Sequence, residues 1–208
     1  MSGAPNESTG KGTAPDASTA RSLRDAIAAL NDLVLFGDLD DAARATLADQ
    51  VTALTAERSA DASGRDHDNP TAESWGEYRW RSPFAGTANP RSPGLTMRID
   101  TEAAIPTARG AVTISPAFAG PPGLVHGGII AGLLDEAIGW LAAATAPDAA
   151  VVTGKLAVRF RAPTPVQTPL ELQVTVTRQT SRSMTVEADV LLDGHRTASA
   201  EALMVVRR

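Results

Sequence analysis

The second half of the chain is dominated by segments in which apolar and polar residues alternate. Six segments show the alternation: 95–100, 110–118, 156–160, 170–176, 184–190 and 196–206. A period of two predicts β-strands with one buried and one solvated face. Asp193 and Gly194 separate the last two segments, and Asp-Gly between alternating segments indicates a tight hairpin.

A long apolar segment over residues 127–146 interrupts the strands after the second one. It is apolar on all sides, which predicts a helix enclosed by the rest of its domain. Its composition would also suit a membrane span, but Asp135 and Glu136 lie near its middle. A mid-membrane Asp costs about 2.5–3.5 kcal/mol, so we expect no membrane span. The element order predicts an α+β fold, with a curved antiparallel sheet wrapped around one central helix.

A helical period replaces the alternation in the N-terminal part of the chain. Two apolar stripes recur at helical spacing: Leu23, Ile27, Leu30 and Val34, then Ala43, Leu47, Val51 and Leu54. The first helix should start near Ser22 and end at Gly37, and Asp38 should cap the second. We therefore divide the chain into a disordered tail over 1–20, a helical hairpin with a linker over 21–72, and the strand-rich domain over 73–208.

An aromatic cluster stands near the start of this domain. Trp75, Tyr78 and Trp80 are three of the chain's eight aromatic residues. They suit an arm that fills a gap in the domain's own core, which we favour, or a cover over a binding pocket.

Composition and charge exclude several classes of function. The net charge is −5, so no basic surface favours nucleic acid. The chain has no cysteine, and its three histidines are too scattered to form a metal motif. We therefore expect no cofactor and no metal. Residues 1–20 contain no apolar run typical of a secretory signal, which favours a cytoplasmic location.

The candidate chemistry lies at the start of the long helix. His126 is followed by Gly127 and Gly128, after the rigid turn formed by Pro121, Pro122 and Gly123. A helix start exposes unpaired N–H groups at the positive end of the helix dipole. The two glycines let a ligand oxygen approach that backbone closely, which suits an oxyanion site for a carbonyl.

An acid on the same helix adds to this signal. Asp135 lies within an otherwise apolar segment, where an acid is costly unless it is paired or functional. Both interpretations stay open from the residues alone. Glu136 points about 100° away around the helix, so we expect only one of the two acids to face the site.

The spacing of these groups predicts an assembly. Gly127 and Asp135 are eight residues apart, which is about 12 Å along a helix axis. One chain therefore cannot bring both to the same carbonyl group. Two antiparallel copies of the helix would place Gly127 of one beside Asp135 of the other, which predicts a homodimer, or a dimer of dimers, with composite sites.

These motifs together resemble a known family. Gly-Leu-Val-His126-Gly-Gly followed by Leu-Leu-Asp135 is similar to the hotdog-fold acyl-CoA thioesterases of the phenylacetate-pathway type. The preceding Pro-Pro-Gly resembles related long-chain acyl-CoA thioesterases, and the string from Thr153 to Pro163 resembles the family's first strand after the helix. The resemblance covers residues 82–208.

The resemblance implies a fold, a reaction and a set of residues. It implies a hotdog domain that hydrolyses acyl-CoA to a carboxylic acid and CoA. Gly127 would donate its N–H to the thioester carbonyl, Asp135 would act as general base or nucleophile, and Thr153 would orient water. Some members carry an Asn six residues before the His, where this chain has Gly120, and the basic residue before the strand-ending Pro is replaced by Ala162.

Other functions stay open beside hydrolysis. A hotdog hydratase or dehydratase would carry a His followed by Phe-Pro-Gly, or an Asp-His pair, and neither occurs here. A non-catalytic acyl-CoA or lipid-binding dimer is the other alternative. Arg161, Arg178 and Arg182 lie near strand ends and are candidates for holding the CoA phosphates, although each also suits ordinary surface charge.

Overall fold

A computed structural model describes residues 17–59 and 81–207. Within these residues, three α-helices and six β-strands follow one another in chain order: α1 Ala17–Phe36, α2 Asp41–Ser59, β1 Thr96–Asp100, β2 Thr107–Thr113, α3 Gly127–Thr145, β3 Ala150–Phe160, β4 Pro169–Gln179, β5 Ser183–Leu192 and β6 His195–Arg207. A short 3-10 helix, Pro116–Phe118, lies between β2 and α3.

All six strands form one antiparallel sheet in the order β1-β2-β4-β5-β6-β3. Helix α3 connects β2 to β3, which lie near opposite edges of the sheet. The chain therefore leaves one side of the sheet, passes along its face as the helix, and returns at the far edge. This arrangement confirms the hotdog fold and the helical hairpin that precedes it.

The core lies between α3 and the concave face of the sheet. One side of the helix is buried: Ile130, Leu133, Leu134, Ala137, Ile138, Leu141 and Ala142. The apolar positions of the alternating strands face it, among them Leu172 on β4 and Val186 on β5, both fully buried. Burying each large aliphatic side chain stabilises the fold by about 1.5–3 kcal/mol, so this contact accounts for much of the domain's stability.

Strand β6 contributes unusually small residues to the same core. Ala198, Ala200 and Ala202 are all buried in its centre. Methyl side chains at these positions leave room for an aliphatic layer from α3 at native packing density.

The N-terminal helices differ from the prediction at their boundaries. Helix α1 begins at Ala17, so residues 17–20 belong to the helix and not to the tail. The cap of α2 is Asp40 and not Asp38, because the Asp40 carboxylate accepts the N–H of Ala43 at 2.8 Å. The end of the first helix is confirmed: it stops before Gly37, whose N–H donates to the Leu33 carbonyl.

Helix α1 is attached to the strand-rich domain by polar contacts. Ser115 donates its hydroxyl proton to the Asp32 carboxylate at 3.0 Å, and the Arg24 guanidinium donates to the Ser92 carbonyl at 3.4 Å. These two contacts hold α1 beside the loops that precede β1 and α3.

One predicted strand is also corrected. The segment 110–118 was expected to be a strand throughout, but β2 spans Thr107–Thr113 and the chain then turns into the 3-10 helix. Ser115 starts this turn because its hydroxyl accepts the N–H of Ala117. The aromatic cluster at Trp75, Tyr78 and Trp80 and the predicted linker over 61–72 lie outside the described residues.

Helix α3 is the one helix in the described ranges that is long and apolar enough, by length and composition, to cross a membrane. Its buried face packs against the sheet, as expected for the central helix of this fold.

The hairpin between β5 and β6 gives a test of backbone strain. Asp193 and Gly194 both have positive φ, 50° and 77°, and a Cβ at Gly194 would meet no atom within 4 Å. Gly194→Ala therefore changes only backbone preference, and we expect a loss of about 1–2 kcal/mol in thermal or urea unfolding. Gly194→Asn is the matched control, because Asn adopts this conformation more readily. Equal losses in both variants would contradict the explanation by backbone strain.

Candidate active site

A tight turn directs the chain into helix α3. Pro121, Pro122 and Gly123 form it, with Gly123 at φ 75° and the N–H of Leu124 donating to the Pro121 carbonyl at 3.0 Å. This is a type II turn, which requires positive φ at its third residue and favours Pro at its second. The N–H of Val125 then donates to the Thr164 carbonyl, which fixes the turn against the loop after β3.

His126 caps the helix and leaves one backbone donor available. Its Nδ1 accepts the N–H of Gly128 at 3.0 Å, so the ring is held against the first turn. The N–H of Gly127 has no acceptor among the described residues. Of the two glycines, Gly127 therefore presents the free donor at the positive end of the helix dipole.

A side chain would be crowded at Gly127 and also at Gly120, on the other side of His126. A Cβ at Gly127 would lie 3.2 Å from Cζ of Phe160, whose side chain is 56% exposed at the end of β3. A Cβ at Gly120 would lie 3.1 Å from the His126 ring and backbone. Gly120 occupies the position where some relatives carry Asn, and here a side chain at this position would crowd the capping histidine.

Asp135 is paired with Thr153 on the neighbouring strand. The Thr153 hydroxyl donates to Asp135 Oδ1 at 2.9 Å in a partly open position. A β-bulge between Thr153 and Lys155 makes this contact possible. Because the bulge adds one residue, Thr153 and Leu156 both face the helix although their sequence spacing is odd. Gly154 within the strand is the sequence signal for such a bulge.

Glu136 points to a different environment. Its carboxylate accepts the hydroxyl proton of Ser82, which is 0% exposed, and a hydrogen bond from Trp140. Burial raises the pKa of Glu136 above its ordinary value, the charge of Asp135 raises it further, and the two hydrogen bonds partly oppose the rise. The two adjacent acids thus differ in their partners, since Asp135 contacts strand β3 and Glu136 contacts the loop before β1. Ser82 was not among the residues singled out from the sequence.

The three candidate arginines are not brought together within one chain. Arg161 follows β3 directly, beside the Phe160 ring that covers Gly127, and its Nε donates to Ser199 at 3.1 Å. Arg178 and Arg182 lie near the turn between β4 and β5, at the other end of the sheet. Of the three, Arg161 lies closest in the fold to the free Gly127 donor.

The separation of Gly127 and Asp135 is maintained in the structure. Helix α3 runs without interruption from Gly127 to Thr145, so the two residues are about 12 Å apart along its axis. At 100° per residue, Gly127 lies on the side of Ile130 and Leu134 at the N-terminal end of the helix, whereas Asp135 points away from that side. Both residues are half-buried.

This geometry can be compared with known proteins. Residues 122–199 match the model of the thioesterase superfamily, a range that includes Gly127, Asp135, Thr153 and Arg161. The central part of the hotdog domain is therefore similar to the thioesterase superfamily. A solved structure of a thioesterase superfamily protein is 27% identical, with a TM-score of 0.74 and 93% of each chain covered. That coverage extends into the N-terminal helices, which are therefore shared with that protein.

Two further solved structures are similar over the hotdog domain. A phenylacetic acid degradation-related protein from Ralstonia eutropha, a proposed thioesterase, is 28% identical with a TM-score of 0.52, and 59% of this chain and 88% of that chain are covered. A proposed thioesterase from Lactococcus lactis is 13% identical with a TM-score of 0.52, over 54% and 91% of the chains, and shows the fold alone. No curated protein matches the sequence. The family and the first two structures support a thioesterase-type function.

The raised pKa of Glu136 makes a prediction about stability. The folded domain binds this proton more tightly than the unfolded chain, for which the ordinary pKa is 4.5. The contribution of this proton to the free energy of unfolding is therefore fully present below pH 4.5 and is lost as the pH rises through the raised pKa of Glu136. Glu136→Gln resembles the protonated acid at every pH. We expect the stability of the wild type relative to Glu136→Gln to decrease as the pH rises from 4.5.

Thermal unfolding of both proteins over a pH series measures this difference. Asp148→Asn, at an exposed acid after α3, is the matched control for the loss of one negative charge. A wild-type advantage over Glu136→Gln that stays constant across the series would mean that Glu136 ionises as freely in the folded protein as in the unfolded chain.

Proposed function

We propose that this protein is an acyl-CoA thioesterase, which hydrolyses the thioester to a carboxylic acid and CoA. The observation that carries the proposal is the hydrogen bond between Thr153 and Asp135, set on a helix whose first N–H is free. A carboxylate held in place beside a hydroxyl can accept a proton from water, and a free N–H at a helix start can stabilise an oxyanion. Hydrolysis of a thioester needs both groups.

In the proposed reaction, Asp135 removes a proton from water and the hydroxide attacks the thioester carbonyl. The negative charge that develops on the carbonyl oxygen is stabilised by the N–H of Gly127 of the partner subunit. When the tetrahedral intermediate collapses, the carbon–sulfur bond breaks. Asp135 returns its proton to the sulfur, so CoA leaves as the thiol. Thr153 keeps the carboxylate oriented by donating to Oδ1, which leaves Oδ2 to act on water.

We propose a homodimer because one chain does not complete this site. Strand β3 forms one edge of the sheet, and its 11 residues leave a long unpaired row of backbone groups. Exposed apolar side chains lie on the same edge, including Val152 at 42% exposure and Phe160. Unpaired edges of this length are usually covered, and pairing with a second β3 would bring the two α3 helices side by side.

Arg161 is the candidate residue for binding the CoA part of the substrate. Arg161 is exposed and lies beyond Phe160, on the same side as Gly127. A phosphate bound there would belong to a substrate whose carbonyl lies at the Gly127 of the same subunit and the Asp135 of the other. We therefore place Arg161, ahead of Arg178 and Arg182, as the residue that binds a CoA phosphate.

The base can be tested by a single change. Asp135→Asn keeps the acceptor for Thr153 but cannot take up the proton, so we expect kcat to fall about 10²–10⁴-fold while acyl-CoA binding is retained. A panel of acyl-CoAs with a thiol reagent measures turnover, and calorimetry measures binding. Asp148→Asn is again the matched control. Near-normal turnover by Asp135→Asn would refute this mechanism, and a wild type that binds acyl-CoA without hydrolysing it would indicate the non-catalytic alternative.

The composite site can be tested by mixing two inactive subunits. Gly127→Pro removes the donor at the first helical position, where Pro is well tolerated and His126 already has the extended backbone that precedes Pro. Gly127→Ala adds the same first atom against Phe160 but keeps the N–H, so it is the matched control. A heterodimer of Gly127→Pro with Asp135→Asn should recover about half of the wild-type turnover, since one of its two sites is intact. An inactive, correctly folded heterodimer would show that both groups act from one chain.

A further inference from the structure

The loop before β1 presses an aromatic ring onto the central helix. A Cβ at Gly132 would lie 1.9 Å from Cζ and 2.4 Å from Cε1 of Phe84. The ring therefore rests directly on the helix backbone, in a space that exists because residue 132 has no side chain. Gly132 precedes Asp135 by three residues, which is about one helical turn.

The ring is held in this place by a buried hydrogen-bond network. The Ser82 hydroxyl accepts the N–H groups of Phe84 and Ala85 at 3.2 and 3.1 Å and donates its own proton to Glu136. The Phe84 carbonyl accepts the N–H of Leu95 at 3.0 Å, which fixes the loop to the start of β1. Phe84 is thus attached to the helix that it covers and to the sheet beside it.

The position of Phe84 relative to Asp135 follows from the helical period. At 100° per residue, Gly128, Gly132, Asp135 and Gly139 lie on the side of α3 opposite to its seven buried residues. An acyl group whose carbonyl is at Asp135 would extend along this side, where residues 128, 132 and 139 carry no side chain. One turn towards the N-terminus it meets the Phe84 ring, which is half-buried and therefore still offers a face to the site.

We propose that Phe84 forms the end wall of the acyl-binding site and limits the length of the acyl group. This inference rests on the proposed thioesterase function and adds to it a residue that determines specificity. Gly132 makes room for the ring, and the hydrogen bond between Ser82 and Glu136 keeps it there. The groups that break the thioester bond are not part of this wall, so it should control which acyl group fits and not the rate of bond cleavage.

The test is kcat and KM for straight-chain acyl-CoAs from acetyl to palmitoyl. Phe84→Ala removes the wall, so acyl groups longer than the wild type's best substrate should gain about 10-fold or more in kcat/KM relative to that substrate. The gain should come mostly through KM, and kcat on short substrates should stay close to the wild type. Phe84→Leu, which keeps part of the wall, should give a smaller shift in the same direction.

Two further variants separate the wall from general loss of packing. Met97→Ala removes a partly buried side chain that packs against Gly110, so it should lower stability without changing acyl-length preference. Gly132→Ala displaces the Phe84 ring from the helix surface. It should therefore alter the acyl-length preference only when Phe84 is present. Its effect should therefore largely disappear in the Gly132→Ala/Phe84→Ala double variant.

The outcomes distinguish this inference from the proposed function. An unchanged acyl-length profile in folded Phe84→Ala and Phe84→Leu would overturn the role of Phe84 while leaving the thioesterase function in place. If the wild type hydrolyses none of the acyl-CoAs, the thioesterase function fails. The role of Phe84 is then tested by the dissociation constants of the same acyl-CoAs. It would be overturned if Phe84→Ala prefers the same acyl length as the wild type.

Discussion

One apolar helix must be removed from water, and the rest of the molecule is arranged around that requirement. Seven residues of α3 are buried on one side, and the only surface in the described domain that can cover them is the concave face of the sheet. The sheet supplies buried aliphatic residues from β4 and β5 and alanines from β6 to receive the helix. Since the helix is held so firmly on that side, its opposite side can carry glycines and an acid without loss of the fold.

The same helix places its two adjacent acids in different surroundings. Consecutive residues point about 100° apart, so Asp135 and Glu136 meet different neighbours. Asp135 meets Thr153 at a bulge on the exposed edge strand, and Glu136 meets Ser82 in the interior. An acid that keeps its proton more readily is suited to holding a loop, and the carboxylate beside Thr153 is the one that we propose accepts a proton from water.

The proposed homodimer follows from the length of the same helix. A rigid helix separates its free N-terminal donor from Asp135 by about 12 Å, and no change of side-chain conformation can shorten that distance. In the proposed homodimer, two copies related by a two-fold axis would bring the two groups together. The loop that carries Phe84 occupies the space left beside Gly132, so the helix of the proposed site also makes room for the proposed wall.

The sequence by itself determined the features that depend on neighbours along the chain. Alternation predicted the strands, the apolar segment predicted the central helix, and Asp193-Gly194 predicted the last hairpin, because side-chain direction repeats with the local backbone period. The candidate site residues were recognised from the His126-Gly127-Gly128 helix start, from Asp135 within an apolar segment, and from the resemblance of both to the hotdog-fold thioesterases. Boundaries were less accurate, since Asp38 and Asp40 are equally good caps in the sequence and only the backbone geometry selects Asp40.

The tertiary structure decided what depends on residues far apart in sequence. Ser82 and Glu136 are 54 positions apart, and Phe84 and Gly132 are nearly as distant, so no local period connects them. The bulge at Gly154 could be suspected from a glycine in a strand, but its effect on Thr153 depends on the register with β6. The separation of Arg161 from Arg178 and Arg182 likewise follows from strand order. Such contacts are set by how the sheet curves around the helix, and the packing of the whole domain, not the pattern of any one segment, determines that curvature.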